Sequence, residues 1–397
     1  MQLPTTDFAA APYVSGDPHA DYRGGTFDFS HLTDLADRRL GAGVVAANDE
    51  FFAERENLLL RTPAVFDVHD HGNKGKVMDG WETRRRRGAG ADEPFPTDSD
   101  HDWALIRLGS PGIIRGIVVD TAHFRGNHPQ QISVWAAAFE GTPSTAELLD
   151  RTDAWEEIVP RTPVYGHAAN GFAVGSGRRW THLRINQHPD GGIARLRVHG
   201  EVLPDPEWLA LLGTVDVACV VNGGVVEEAS DGFYSSPGNT IMPGLSQKQD
   251  DGWETRRRRD KGNDWIAYRL AGQCEIRAVE VDTANLKGNS AGWVSLSVKD
   301  GVDGAWTQVL PRTRLEPDSP HRLPLAAPVL ASHARIDVYP DGGFARLRLH
   351  GRLTDAGATA LTARAARAAR AAGAAGAAGA AGAAGAAGAA GAATTTP

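Results

Sequence analysis

The sequence predicts an all-β chain that consists of two tandem β-sandwich repeats with short helices. Three observations predict this: a nine-residue block occurs twice letter for letter, short apolar or alternating segments lie between turn residues, and no long stretch with helical periodicity interrupts them. Strands at this spacing pack face to face, so we expect each repeat to be an antiparallel sandwich of the jelly-roll or a related type.

The repeat is defined by blocks that recur in the same order. The block Asp79–Arg87, with the sequence DGWETRRRR, recurs unchanged as Asp251–Arg259. Unequal spacing between the blocks predicts surface loops of different length in the two copies, between Arg87 and His101 and between Trp135 and Trp155. The other matched blocks are His101–Trp103 with Asn263–Trp265, Val119–Asn127 with Val281–Asn289, Trp155–Thr162 with Trp306–Thr313, and Asp190–Gly200 with Asp341–Gly351.

These blocks divide the chain into segments joined by one short helix. Asp205 and Pro206 are typical of the N-cap and the first residue of a helix, and Gly213 of a helix end. The predicted segments are an N-terminal lead (1–27), the first repeat (28–203), a linker helix (204–213), the second repeat (214–353) and a disordered Ala/Gly-rich tail (354–397). The predicted strands of the first repeat include Ile113–Val119, Ile132–Trp135, His182–Ile185 and Ala194–His199.

The tail has a composition that favours a solvated extension. From Ala371 to Ala393 it contains only Ala and Gly, which are too weakly apolar to form a membrane span. Helical propensity is present around Arg364, Arg367 and Arg370. We expect a chain that ends near Asp355 to fold and to remain active, because an Ala/Gly repeat has little surface to bury.

Charge and cysteine content exclude several classes of protein. The chain has 41 Lys plus Arg against 49 Asp plus Glu, and without the tail from residue 355 the balance is 38 against 48. An acidic chain of this kind is not expected to bind nucleic acid. Cys219 and Cys274 are too few for an extracellular disulfide framework, and the first thirty residues lack a signal-peptide pattern. We expect a cytoplasmic protein that does not bind a membrane.

The duplicated block places a carboxylate, Glu82, beside the four guanidinium groups of Arg84–Arg87. Guanidinium groups bind carboxylates through two parallel hydrogen bonds, so the block suits a small anionic substrate. In an extended segment, Arg84 and Arg86 would share one face. The alternative is a salt-bridged surface or a contact between the repeats.

A second basic face is predicted on the strand near residue 195. Arg195, Arg197 and His199 alternate with apolar residues, and the second copy repeats this pattern. These side chains could form an anion site or could be ion-paired to neighbouring strands.

Histidine is concentrated in the first half of the chain, with eleven of the fourteen at or before His199. This asymmetry predicts acid/base chemistry in the first copy, with drift after duplication as the alternative. We expect His101 and His123 to converge on one site. Four histidines of the first copy correspond to other residues in the second copy. His101, His123, His128 and His188 correspond to Asn263, Asn285, Ser290 and Tyr339, in that order.

A metal site is only weakly indicated. His69 and His71 could present two imidazoles to a metal on one face of a strand, with Asp67 nearby, but no third ligand follows at a diagnostic spacing. A solvated loop is the favoured interpretation, so no metal ligand and no other cofactor is assigned.

Taken together, the DGWETRRRR block, His101–Trp103, Val119–Asn127 and the duplicated DGGxARLR segments resemble the allantoicase family across about residues 28–353. The resemblance implies two jelly-roll domains of the galactose-binding-like kind. It also implies the hydrolysis of allantoate, a small-molecule substrate, to (S)-ureidoglycolate and urea in purine and allantoin degradation. We further expect a homo-oligomer.

The reaction requires a proton donor and a proton acceptor, because allantoate carries two ureido groups and a carboxylate on one carbon. Expelling urea requires a proton on the leaving nitrogen, and the water that adds must lose one. A metal-bound water is the alternative, with His69 and His71 as ligands. The assigned residues are Glu82, His101, Asp120 and His123 for proton transfer, Arg84, Arg86, Arg195 and Arg197 for the carboxylate, and Asp102 and Asn127 for the ureido groups.

Two readings of another class remain open at this point, because a sandwich fold does not decide function. One is a non-catalytic sugar-binding module and the other an inactive scaffold held together by arginine networks. Sugar-binding modules display aromatic platforms, whereas the matched Trp residues are predicted to be buried here. The Arg, Asp and His residues favour a small anion over a sugar.

Overall fold

The computed structural model describes residues 7–13 and 26–371. It confirms a mainly β chain with two antiparallel repeats and short helices. The first repeat contains a nine-stranded sheet and the second a seven-stranded sheet, each accompanied by short two-stranded pairs.

The first repeat is organised around β7 (Asp102–Asp120), a 19-residue strand that serves both layers of the sandwich. Its first part pairs with β3 (Gly43–Ala47) and β11 (Arg179–His188), and its second part with β10 (Ala168–Ala173) and β13 (Arg195–Val202). The other elements are β1 (Phe8–Pro12), β2 (Thr33–Asp34), β4 (His71–Gly72), β5 (Gly75–Lys76), β6 (Trp81–Glu82), β8 (Gln131–Ala137), β9 (Glu156–Pro163), β12 (Gly192–Ile193), α1 (Thr145–Asp150) and 3₁₀ turns at Arg38–Leu40, Arg55–Leu59 and Thr152–Ala154.

The second repeat uses β17 (Asp264–Asp282) in the same way. This strand pairs with β15 (Val225–Ala229) near its start, with β22 (Arg346–Leu353) near its end and with β20 (Pro320–Tyr339) in both parts. The other elements are β14 (Val215–Asp216), β16 (Trp253–Glu254), β18 (Trp293–Lys299), β19 (Thr307–Arg314), β21 (Gly343–Phe344) and 3₁₀ turns at Val220–Asn222, Pro237–Ile241 and Gln249–Asp251.

The four segments predicted as strands in the first repeat lie on β7, β8, β11 and β13. Residues matched by the repeat also occupy matching elements. Trp81 and Trp253 lie on β6 and β16, and both are fully buried. One continuous apolar core contains residues of both repeats, so the two sandwiches pack as neighbours.

Two hydrogen-bonded arginines and a helix also connect the repeats. Nη1 of Arg39 donates to Oδ1 of Asn239 at 2.8 Å, and Nη1 of Arg61 donates to Oδ1 of Asp251 at 3.1 Å. Between the repeats, α2 (Pro206–Leu212) begins after Asp205, whose carboxylate accepts the backbone N–H of Glu207.

The N-terminal lead, which the sequence analysis placed before the first repeat, adds a strand to the sheet of that repeat. Strand β1 pairs with β10, from Phe8 opposite Phe172 to Pro12 opposite Ala168, and Tyr13 is buried. The second repeat carries no matching segment, so the repeat pattern could not reveal this strand. Residues 1–6 and 14–25 lie outside the described residues.

The prediction of a disordered tail from residue 354 is wrong for its first part. Residues 355–371 form a helix, α3, which Thr354 caps by accepting the backbone N–H of Gly357 at 3.0 Å. Leu361 and Ala368 are buried, and Arg364 pairs with Glu201 of the first repeat at 2.6 Å. Alanine has high helix propensity, and the sequence of this segment differs from the Ala/Gly sequence that follows it because it contains the apolar residue Leu361. The remaining residues, 372–397, lie outside the described residues.

No helix among residues 7–13 and 26–371 is long and apolar enough to cross a membrane.

Because α3 packs on the sandwich, shortening the chain should have different effects at two positions. A chain that ends at Ala371 should unfold with the same Tm as the full chain, whereas a chain that ends at Thr354 should have a lower Tm. Leu361→Ala should cost about 2–4 kcal/mol of unfolding free energy, since it removes a buried leucine. Thr362→Ala, at an exposed position of the same helix, is the control, and equal Tm values for all five proteins would contradict this packing.

Candidate active site

A cavity of about 800 Å³ opens in the first repeat. It lies between the Arg-rich segment after β6, the turn after β7 and the hairpin formed by β4 and β5. Of the ten residues to which the sequence assigned a role, four line this cavity: Glu82, Arg86, His123 and Asn127.

Glu82 and Asn127 form a hydrogen-bonded pair in the cavity wall. Glu82 ends β6 and is half-buried, and its Oε1 accepts a hydrogen bond from Nδ2 of Asn127 at 2.9 Å. Burial raises the pKa of Glu82, while the hydrogen bond from Asn127 and the charge of Arg85 oppose the rise. A carboxyl group of this kind holds a proton at higher pH than an exposed glutamate, so it can act as a general acid.

Arg86 lies in the wall with one edge of its guanidinium already bound. Its Nε and Nη2 donate to Oδ1 of Asp102 at 2.9 and 2.6 Å, and its backbone N–H donates to Asp190 at 2.6 Å. Two guanidinium donors of Arg86 therefore meet a single oxygen of Asp102, and the contact of Arg86 with the substrate carboxylate stays a prediction. In the second repeat, Arg258 donates to Asp264 through Nη1 at 2.6 Å, and its Nε and Nη2 donate to Asp260.

Asp102 itself is a buried anchor and not a cavity residue, contrary to its predicted contact with a ureido group. It is 2% exposed, and its Oδ1 also accepts a hydrogen bond from the side chain of Asn48 at 2.7 Å. Its charge holds Arg86 against the sheet.

The side chains of Arg84–Arg87 do not alternate between two faces as predicted, because the strand β6 ends at Glu82, before these residues. Arg84 turns away to Asp49, which accepts its backbone N–H at 2.7 Å, and the guanidinium lies over the ring of Phe51. Arg85 and Arg87, which the alternation placed on the opposite face, line the cavity together with Arg86.

His123 is held in the cavity wall by its backbone and its ring. Its φ of 67° lies in the left-handed region, and Nε2 is 3.2 Å from the carbonyl oxygen of Ala64. Asn285, the matched residue, has a φ of 69° and donates to the carbonyl oxygen of Ser246 at 3.1 Å. The backbone conformation and the side-chain tether therefore belong to both repeats, whereas the imidazole belongs to the first.

His101 and His123 do not converge, so that prediction is wrong. His101 lies against β11 instead, with its ring 5.4 Å from the ring of His188 and its Nε2 3.2 Å from Nη2 of Arg184. Burial lowers the pKa of His188 to about 4, so it is neutral in this contact at neutral pH. The wall residues that the structure assigns to the cavity do not include His101.

Asp120 is buried below the turn that carries His123 and is only 4% exposed. Burial raises its pKa to about 6, against hydrogen bonds from the Ala122 N–H and the Tyr13 hydroxyl and the charges of Arg197 and Arg195. The carboxylate accepts the Ala122 N–H at 2.8 Å, which shapes the turn after β7. It is an internal group of the scaffold and not a cavity-lining residue.

Arg195 and Arg197 support the loop before β6 and do not form the predicted substrate contact. Arg195 is 1% exposed and bonds the carbonyl oxygen of Thr62 at 2.9 Å and the carboxylate of Asp79 at 2.8 Å. Arg197 donates to the carbonyl oxygen of Leu60. Both arginines of this basic face are therefore partnered by groups of the loop before β6.

Several charged residues of the cavity are not indicated by the sequence patterns. The positive side chains of the wall outnumber the negative ones by six to two, in a chain whose net charge is −8. The segment before Trp81–Glu82 is longer than the segment before Trp253–Glu254, and this difference in length could have located the additional hairpin. The positive residues are Lys74, Lys76, Arg85, Arg86, Arg87 and Arg125, and the negative ones are Glu82 and Asp190.

Within the part of the chain that the structure describes, no group of three or more His, Cys, Asp or Glu side chains is arranged to hold a metal ion. His69 and His71 are both exposed on the hairpin.

Comparison with known proteins identifies the family. The allantoicase repeat model matches residues 33–203 and 215–354. The chain belongs to the allantoicase family. A probable allantoicase of Streptomyces avermitilis is 65% identical over 353 residues, covering 89% of this chain and 94% of that protein. A probable allantoicase of Nocardia farcinica is 50% identical over 327 residues, with 82% and 95% covered.

Solved allantoicase structures share the fold. The crystal structure of allantoicase from Saccharomyces cerevisiae matches with a TM-score of 0.69 and 31% identity, covering 81% of this chain and 93% of that one. A second allantoicase structure matches with a TM-score of 0.68 and 30% identity, with 82% and 94% covered.

The buried carboxyl group of Asp120 predicts a pH-dependent stability. Its folded pKa of about 6 lies above the ordinary aspartate value of 3.8, so its contribution to stability is present below the lower value and is lost as pH rises through the upper one. Asp120→Asn should therefore gain about 2 kcal/mol of unfolding free energy relative to the unsubstituted chain between pH 4.5 and pH 8. Urea titrations of both proteins at the two pH values measure this, and a difference that does not change with pH would refute it.

Proposed function

We propose that the cavity of the first repeat is the site at which this chain hydrolyses allantoate to (S)-ureidoglycolate and urea. The observation that supports this most strongly is the excess of six positive over two negative side chains in its wall, in a protein of net charge −8. Such a local reversal of charge attracts a small anion and stabilises its carboxylate. The cavity volume of about 800 Å³ also suits a small ligand.

The first chemical step is the departure of urea, and Glu82 is the proposed proton donor. Its raised pKa keeps a larger fraction protonated, and the hydrogen bond from Asn127 fixes its position. As the bond between carbon and the leaving nitrogen breaks, the proton of Glu82 moves to that nitrogen. The electron pair of the remaining ureido nitrogen then forms a carbon–nitrogen double bond.

The second step is the addition of water to this carbon, with His123 as the proposed proton acceptor. The contact between Nε2 and the Ala64 carbonyl favours the tautomer that carries its proton on Nε2, so Nδ1 is the basic nitrogen. The proton taken from water returns through solvent to Glu82, and the carbon carries the hydroxyl group of ureidoglycolate. One water is consumed, and one urea is released.

We also propose that the chain works in the cytoplasm as a homo-oligomer. Both cysteines are buried and free, which suits a reducing compartment. On α2, Trp208 and Leu211 are 55% and 77% exposed, and apolar side chains of this size favour association. Light scattering during size-exclusion chromatography measures the oligomeric state.

Replacing the proposed acid should slow turnover strongly. Glu82→Gln keeps the size and the hydrogen-bond acceptor but cannot donate a carboxylic proton, so kcat for urea release should fall by about 10²-fold or more. The matched control is Glu254→Gln in the second repeat, where the carboxylate is bound by the side-chain amide of Gln249 at 2.6 Å. Equal activity in the two variants would place the chemistry outside this cavity.

The second repeat supplies the sharpest test of His123. His123→Asn copies Asn285, which holds the same left-handed backbone and the same kind of tether without an imidazole. Tm should therefore remain near that of the unsubstituted chain, while kcat falls by about 10²-fold. Asn285→His is the reciprocal control. Full activity in His123→Asn would show that the tether is the whole role of this residue.

A further inference from the structure

The first repeat carries a hairpin that the second repeat lacks. From the 3₁₀ turn ending at Leu59 to Trp81 there are 21 intervening residues, whereas the matching interval from Ile241 to Trp253 has 11. The additional residues form β4 and β5, which pair from His71 opposite Lys76 to Gly72 opposite Gly75. The same repeat that has the cavity therefore has the additional hairpin.

The base of this hairpin is fixed to the scaffold by polar contacts. Asp79, whose carboxylate pairs with the buried Arg195, accepts the backbone N–H of Val65 at 2.9 Å. At the preceding residue, the carbonyl oxygen of Ala64 contacts Nε2 of His123. The hairpin is thereby held beside the turn that carries His123.

Two lysines of the hairpin line the cavity, and their surroundings differ. The ammonium group of Lys76 lies 5.0 Å from the ring centre of Phe66, and Phe66 stacks on His123 with the ring centres 5.5 Å apart. The ammonium group of Lys74 lies 5.0 Å from the ring centre of Phe51, on the side to which Arg84 turns. Among the described residues, neither lysine forms an ion pair with a carboxylate.

To bind an anionic substrate, the site needs a cation that is not already bound to a carboxylate or a carbonyl oxygen of the protein. Arg86 presents Nε and Nη2 to Asp102, and Arg195 and Arg197 are bound to the loop before β6. Arg85, Arg87 and Arg125 also line the cavity, and among the described residues they form no ion pair with a carboxylate. Lys76 differs from them because its ammonium group lies over the ring of Phe66, which stacks on His123. A charged hydrogen bond from such a group to a carboxylate is stronger than one between neutral groups.

We propose that Lys76 binds the carboxylate of the substrate and makes this site specific for anionic ureides. This assignment rests on the proposed function of the cavity. The carboxylate then lies on the hairpin side, and the leaving ureido group lies toward Glu82 and Asn127. The second repeat has no counterpart of the hairpin, so it has no counterpart of this contact.

Steady-state kinetics of urea release test the proposal. Lys76→Met removes the charge from an exposed position, so the fold should persist and the KM for allantoate should rise about 10- to 100-fold, with kcat within about threefold. Lys76→Arg should restore most of the affinity, because it returns a cation. Lys261→Met, at an exposed lysine of the second repeat, is the control for loss of one charge. A KM for Lys76→Met within twofold of the unsubstituted chain would overturn the assignment.

A neutral analogue separates recognition of the carboxylate from general damage. Methylenediurea has the two ureido groups of allantoate on a carbon without a carboxylate, so its inhibition constant should be the same in Lys76→Met and in the unsubstituted chain. If the binding of allantoate and of methylenediurea weakened to the same extent, the cavity would be distorted, and the assignment would be refuted. The Glu82→Gln variant distinguishes the two proposals: if it is inactive while Lys76→Met is unchanged, the cavity stands and the carboxylate contact fails.

Discussion

The buried guanidinium of Arg195 is the interaction on which the rest of the site depends. At 1% exposure a cation is stable only when its donors are satisfied, and here they bond the carbonyl oxygen of Thr62 and the carboxylate of Asp79. These contacts fix both ends of the segment that contains the hairpin. Arg346 performs the same task in the second repeat, where it bonds the carbonyl oxygens of Gly244 and Asp251. The duplicated arginines are therefore scaffold residues that hold a loop against a sandwich edge.

This scaffold explains how two copies of one sandwich can differ in chemistry. The left-handed turn after β7 and the tether from its side chain are the same at His123 and Asn285. The loop before the Trp-Glu strand is longer in the first copy, and its additional residues bring two lysines to the cavity. Because the framework is held by buried polar contacts, a change of side chain or loop length alters the cavity while the sandwich stays the same.

The second repeat also supports the first across their boundary. Asp251 accepts a hydrogen bond from Arg61, the residue that begins the loop toward the hairpin. Burial raises the pKa of this carboxyl group, but the hydrogen bonds from the Gln247 N–H and from Arg61 bring the pKa below its ordinary value. The neighbouring helix α3 spans the same boundary, where Arg364 pairs with Glu201. The second copy is in this way a structural support for the loop that shapes the cavity.

The sequence by itself determined the repeat, four strands of the first repeat and four residues of the cavity wall. Identical blocks and period-two alternation are local patterns, so Trp81, β7 and β13 could be predicted from neighbouring residues alone. The roles of the arginines could not. A guanidinium binds the nearest carboxylate or carbonyl group in space, and Asp102 for Arg86 or Thr62 for Arg195 comes from another part of the chain. A charged side chain can bind a ligand only if no group of the protein already binds it. The tertiary structure alone decides which groups lie close enough to do so.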